Sequence, residues 1–142
     1  MARSFQVEFP QLGKKVRARL LDDRAPQLSE LFWQTLPFEC VPSHPVVSGF
    51  SVSLMVPVVW TRPWEHAVSR QEGDIYLYAN AQHIVMPYGE TTEPNKVNKF
   101  AEIYPEDRMT MREIGAAVGQ AYFAGRGVEI RANVSRYEEV LL

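Results

Sequence analysis

A chain of 142 residues with a net charge of −2, 46% hydrophobic and 23% charged residues, has a globular composition and the length of one ordinary domain, 1–142. Such a chain buries a core without a metal or disulfide staple, and its charge argues against a nucleic-acid or anionic-membrane partner held by bulk electrostatics. Cys40 stands alone, no run approaches the roughly 20 apolar residues of a membrane span, and MARSFQVEFP lacks the apolar core of a signal peptide, so the expected setting is cytoplasmic.

Residues 4–9 read as a strand with Phe5, Val7 and Phe9 on one face. Residues 10–14 turn the chain, and 15–21 return as its hairpin partner, with Val16, Ala18 and Leu20 inward and Arg17 and Arg19 outward. Asp22 and Asp23 offer a helix cap, and Pro26 fits the first helical turn. Leu28, Leu31, Phe32 and Thr35 then form one apolar stripe, and Pro37 ends the helix. Residues 38–41 allow a short strand. Residues 50–58 alternate Phe50, Val52, Leu54, Val56 and Val58 against Ser51, Ser53 and Met55, and Pro57 places that strand at an edge or bulge.

A polar, aromatic-rich loop holding Trp60, Arg62, Trp64 and His66 precedes the central feature, residues 73–90. These read as two strands joined at Asn80, Ala81 and Gln82, bracketed by Gly73 and Gly89. Ile75 and Leu77 share one face of the first strand, and Tyr76 and Tyr78 the other. Ile84, Met86 and Tyr88 share one face of the second, and His83 and Val85 the other. Residues 99–104 are a weaker strand. Thr110 and Glu113 match a capping box for a helix with Ile114, Val118 and Ala121 or Tyr122 buried, ending at Gly125 or Gly127. Residues 128–133 read as a last strand with Val128, Ile130 and Ala132 facing in, and the tail from Ser135 as a short helix or a partner-binding end. About seven strands and two helices, spaced this way, predict a mainly β fold: a closed antiparallel barrel with helices over its ends.

Four pieces carry a resemblance: the opening hairpin, Leu36-Pro37-Phe38-Glu39, Met55-Val56-Pro57-Val58, and Gly73-Asp74-Ile75 followed by Pro87-Tyr88-Gly89. Together they resemble the cyclophilin-like small-barrel family of prokaryotic proteins of unknown function. The resemblance implies a cyclophilin-like closed barrel of about eight strands with two helices, and a cleft near where cyclophilins bind proline peptides. Isomerase activity is not implied, because the Phe-His-Arg and Gln-Gly-Gly-Asp segments that cyclophilins use are missing. The family is also similar to opine synthases of the cucumopine type, which condense histidine with 2-oxoglutarate without a nicotinamide.

Several side chains suit a small-molecule cleft. His44 and His83 can pass protons near neutral pH, and Glu39 beside an apolar wall suits an acid or base. Met55, Trp60, Tyr78 and Tyr88 supply apolar and aromatic walls, and Arg62 a fork for a carboxylate. Each also has a bland reading: a surface histidine or glutamate, or a core aromatic. Cys40 reads as an inert buried thiol. No histidines share metal-ligand spacing and no glycine-rich phosphate loop occurs, so neither metal nor cofactor is expected. The expected partners are a small carboxylate or cyclic nitrogen compound and a second copy of the chain, through an edge strand or the Val140-Leu141-Leu142 tail. An enzyme, a proline-peptide binder and a non-catalytic assembly module all remain open.

Overall fold

Period-two alternation organises the chain, and one sheet uses nearly all of it. The computed structural model describes residues 3–45, 48–124 and 129–138. Among these residues the strands are β1 (Ser4–Phe9), β2 (Lys14–Leu20), β3 (Phe38–Cys40), β4 (Gly49–Met55), β5 (Ala67–Ser69), β6 (Asp74–Tyr78), β7 (His83–Thr91), β8 (Lys96–Ile103) and β9 (Ala132–Tyr137). The helices are α1 (Pro26–Thr35) and α2 (Arg108–Ala124). The strands pair in the order β3-β9-β1-β2-β8-β6-β7-β4, and β5 adds to β8 beside this path. Every pairing is antiparallel.

The sheet is curled but open, and this corrects the closed barrel expected from the sequence. No ladder joins β3 to β4, the two ends of the path. A single bridge links Ser43 to Ser53, with two backbone hydrogen bonds of 2.9 and 2.8 Å. The reason is local: Pro42 and Pro45 flank the bridging segment, and neither has an N–H to extend a ladder.

One face of the curl encloses the core. Phe5, Val7, Val16, Leu20, Val52, Leu54, Ile75, Ile84, Met86 and Phe100 meet Leu28 and Phe32 of α1 and Met111, Ile114 and Val118 of α2 there. Phe32 centres this packing, with ring centroids 4.7 Å from Phe5 and 5.1 Å from Phe100. Each such buried side chain contributes about 1.5–3 kcal/mol.

Several local expectations are corrected. Helix α1 starts after Ala25 with no side-chain cap of its own, because Asp22 is taken by Arg3 at 2.6 Å. The carboxylate of Glu65, remote in sequence, accepts from the N–H groups of Gln27 and Leu28 at 3.1 and 2.9 Å instead. Leu31 turns outward and Ser29 is buried in its place. Thr110 lies inside α2, so no capping box forms there. A short turn, Pro105–Asp107, leads into that helix, and Asp107 accepts from the Arg17 backbone and guanidinium at 2.8, 2.9 and 2.9 Å. Strand β9 runs through Ser135 to Tyr137, which the sequence assigned to the tail, because these residues pair with Ser4, Phe5 and Gln6 of β1. The positions proposed to end α2, Gly125 and Gly127, lie outside the described residues, as do Val128 and the Val140–Leu142 tail.

Helix α2 lies close against β7 at Gly115. A Cβ built there would stand 2.3 Å from the Tyr88 ring. Gly115→Ala should therefore lower the unfolding free energy by about 1–3 kcal/mol in a urea titration, as overpacking does. A gain in stability, as the roughly 1 kcal/mol helix-propensity advantage of alanine alone would give, would show that the contact is not tight.

Candidate functional site

The second face of β6 and β7 carries the site. Ile75, Leu77, Ile84 and Met86 point into the core, so Tyr76, Tyr78, His83 and Val85 point the other way. Tyr76, Val85 and Val97 of β8 form a second small apolar cluster, with Val68 of β5 against it. This outer face floors a cavity of about 410 Å³. Its lining is completed by Pro45, Ser48 and Ser53, by Trp64 and Arg70, and by Glu93, Asn95 and Lys96. The volume falls within the range of about 300–1,000 Å³ usual for small-molecule sites.

Arg70 is the best-held charge in the cavity. It is 9% exposed, and its guanidinium lies 5.2 Å above the Tyr76 ring. It donates to the Tyr76 hydroxyl at 2.9 Å and to the Asn95 carbonyl at 3.2 Å, and pairs with Glu93 at 3.2 Å. Burial pushes the Tyr76 hydroxyl above its ordinary range, so it stays neutral and can accept from Arg70. Lys96 also lines the cavity and has no carboxylate within salt-bridge distance among the described residues. Trp64 and Tyr78 are 51% and 53% exposed, which leaves two aromatic rings on the cavity lining open to a ligand.

His83 stands on the same floor. Its Nδ1 lies 2.8 Å from the Ser53 hydroxyl, and its Nε2 has no hydrogen-bond partner among the described residues. Ser53 is itself fixed, since its backbone N–H and carbonyl both bond to Ser43. Asp74, which looked motif-like after Gly73, has a structural task. It accepts from the Gln71 N–H at 2.9 Å and pairs with Lys99 at 2.8 Å, fixing the bend into β6.

The side chains singled out from the sequence scatter. His83 and Tyr78 line the cavity. His44 and Tyr88 lie on the core side and meet each other, His44 Nε2 to Tyr88 hydroxyl at 2.6 Å. Met55 is exposed on β4 opposite His83. Trp60 is buried in the core, and Arg62 stacks over it while bonding Gln27. Glu39 lies on β3 in an ion pair with Arg131 at 2.6 Å, outside the cavity lining. Burial pushes the Cys40 thiol up to about 11, so it is unreactive at neutral pH. Among the described residues no group of three or more His, Cys, Asp or Glu could hold a metal. Sequence reasoning passed over Arg70, Glu93 and Lys96. Each lies beside a strand too short or too polar to stand out, and only the shared face of Tyr76 and Tyr78 signalled where they would converge.

Burial in apolar surroundings depresses the His44 pKa and raises that of Tyr88. In the unfolded chain His44 takes a proton near its ordinary value of about 6.5, while in the fold it does so only at lower pH. Its contribution to stability is thus present above that value and is lost as the pH falls through the folded pKa. The melting temperature of the wild type should drop more steeply between pH 7.5 and 5 than that of His44→Gln. Parallel curves would remove His44 as the cause.

Residues 7–136 match the family described as "Protein of unknown function (DUF3830)". Among solved structures, the chain is similar to the one described as "Structure of McbB in complex with tryptophan", with 28% identity and a TM-score of 0.86 over 97% of this chain. It spans 46% of the McbB chain. It shares its fold with the solution structure of the hypothetical protein AF2241 from Archaeoglobus fulgidus, at 12% identity and a TM-score of 0.63, covering 96% of this chain and 95% of that one. None of the curated proteins matches.

Proposed function

We propose that this protein, which belongs to the DUF3830 family of proteins of unknown function, binds an aromatic amino acid or a closely related aromatic carboxylate in the outer cavity. The observation that carries this reading is the Arg70–Glu93 pair set beside the open rings of Trp64 and Tyr78. A zwitterion needs one cation, one anion and an apolar slot within a few ångströms of each other, and the cavity lining supplies all three. Arg70 or Lys96 would meet the carboxylate, Glu93 the ammonium, and the two rings would flank the ligand side chain, each offset-stacked contact contributing about 0.5–1.5 kcal/mol. The McbB structure, which holds tryptophan, lends the reading support through the likeness of its fold.

The finer reading is an opine-synthase-like condensation. The amine of the bound amino acid attacks the carbonyl carbon of a 2-oxo acid, a C–N bond forms, and water leaves as the imine forms. The step is redox-neutral. Glu93 would take the proton from the ammonium, and His83 Nε2 would deliver one to the departing oxygen, both within the range of side-chain general acid–base catalysis. Of the residues chosen from the sequence, His83 and Tyr78 take part in this scheme.

A thermal-shift titration with L-tryptophan tests the binding. A ligand that binds only the folded state stabilises it by about 2.7 kcal/mol at 100 times Kd, so the wild type should melt higher. Tyr78→Ala and Glu93→Gln should each lose most of the shift, and glycine should produce none. If no aromatic amino acid or aromatic oxo acid moves the melting point, or if both variants respond like the wild type, the reading is wrong.

A further inference from the structure

The cavity wall is tied to a pair of rings on the opposite face of the sheet, buried His44 and half-buried Tyr88. His44 is 6% exposed and sits under α2, with its ring edge-on to Tyr88 at 5.7 Å and to Phe123 at 5.5 Å. Gly119 makes room for it, since a Cβ there would stand 3.0 Å from the imidazole. Pro45 lines the cavity directly. Ser43 makes both backbone hydrogen bonds to Ser53, and the Ser53 hydroxyl holds His83 Nδ1 at 2.8 Å. An unbroken series of contacts therefore runs from Tyr88 through His44, Ser43 and Ser53 to His83.

That bridge is the one place where the ends of the sheet path meet among the described residues. With only two hydrogen bonds and flanking prolines, it has no ladder to sustain it. The side chain of His44 adds a second tie for the segment from Pro42 to Pro45, through its contacts with Tyr88 of β7 and Phe123 of α2.

We propose that His44 is a positioning residue for the cavity: its contact with Tyr88 keeps the Ser43–Ser53 bridge made, and the bridge holds His83 in the orientation the cavity uses. This rests on reading the outer cavity as the binding site. The pin also responds to acid. Among the described residues, Tyr88 of β7 is the titratable group in contact with the ring, α2 presents Gly119 and Phe123, and no carboxylate stands ready to pair with an imidazolium. An imidazolium in that slot meets the Tyr88 hydroxyl oxygen but no counter-charge, so the pin is firm at neutral pH and weakens as His44 takes a proton.

Nitrogen-15 NMR of the histidine rings in the ligand-free full chain tests this, with His66 as an internal control among the three histidines of the sequence. Ser53→Ala marks the signals of a freed His83. His44→Gln and Tyr88→Phe should shift the His83 ring nitrogens toward those of Ser53→Ala and leave His66 unmoved. In the wild type the His83 signals should carry a pH transition that coincides with the titration of His44, and this transition should vanish in His44→Gln. Wild-type His83 signals from pH 5 to 8 in a cooperatively folded His44→Gln would overturn the proposal. If that variant does not fold, the same result in Tyr88→Phe, which keeps the ring, overturns it. Because no ligand enters the assay, its outcome is independent of whether tryptophan binds.

Discussion

Adjacent side chains on a strand point to opposite faces, and along β6 and β7 both faces are occupied. Ile75, Leu77, Ile84 and Met86 are committed to the core, which leaves Tyr76, Tyr78, His83 and Val85 nowhere to go but the outside. A slip of one residue in this pairing would exchange the two sets, placing an imidazole and two phenols against Phe100 and Ile114. The register Tyr76 to Val85, Leu77 to Ile84 and Tyr78 to His83 is therefore enforced by burial as much as by backbone hydrogen bonds. Everything about the cavity follows from that register, because its floor is the residue of what the core rejects.

The walls obey a different logic. A nearly buried guanidinium is costly unless it is paired, and Arg70 has the Tyr76 ring, the Tyr76 hydroxyl, the Asn95 carbonyl and the Glu93 carboxylate around it, with its Nε alone lacking a hydrogen-bond partner among the described residues. These partners also fix its position, so its charge is presented without reorganisation. The rim is the opposite case. Trp64 and Tyr78 keep about half their surface in water, although each has apolar area that burial would favour. A held charge beside uncovered rings is the arrangement expected of a site that completes itself with a ligand.

Helix α2 joins the two sides of the sheet. It approaches β7 and the segment after β3 closely because glycines stand where side chains would intrude, Gly115 at Tyr88 and Gly119 at His44. Glycine in a helix costs about 1 kcal/mol against alanine, and the close approach offsets it by packing Tyr88 and His44 against the helix and each other. At the other end of the same helix, Asp107 anchors Arg17 of β2, and the guanidinium holds the Asp107 carboxyl below its ordinary value. The helix is thus pinned at both ends to strands that lie on either side of β8 and β6 in the sheet order.

Local patterns made much of this legible. The opening hairpin, both helices, the central hairpin with its two faces, and the inward choice of Val16, Ala18, Leu20, Ile114 and Val118 follow from periodicity and proline placement, which depend only on near neighbours. The floor of the cavity was legible for the same reason, since Tyr76, Tyr78 and His83 are assigned a face as soon as Ile75 and Ile84 are. What required the tertiary structure was every choice between distant partners. Asp22 binds Arg3 and leaves the start of α1 to Glu65; β9 extends because β1 pairs with it as far as Tyr137; Trp60 turns into the core while Trp64 turns out; and Arg70, Glu93 and Lys96 meet because β5 and β6 both lie against β8. Periodicity sets which way a residue points, a property of two or three bonds. Which residue it meets depends on the order of strands in the sheet, and that order is decided by the packing of the whole chain.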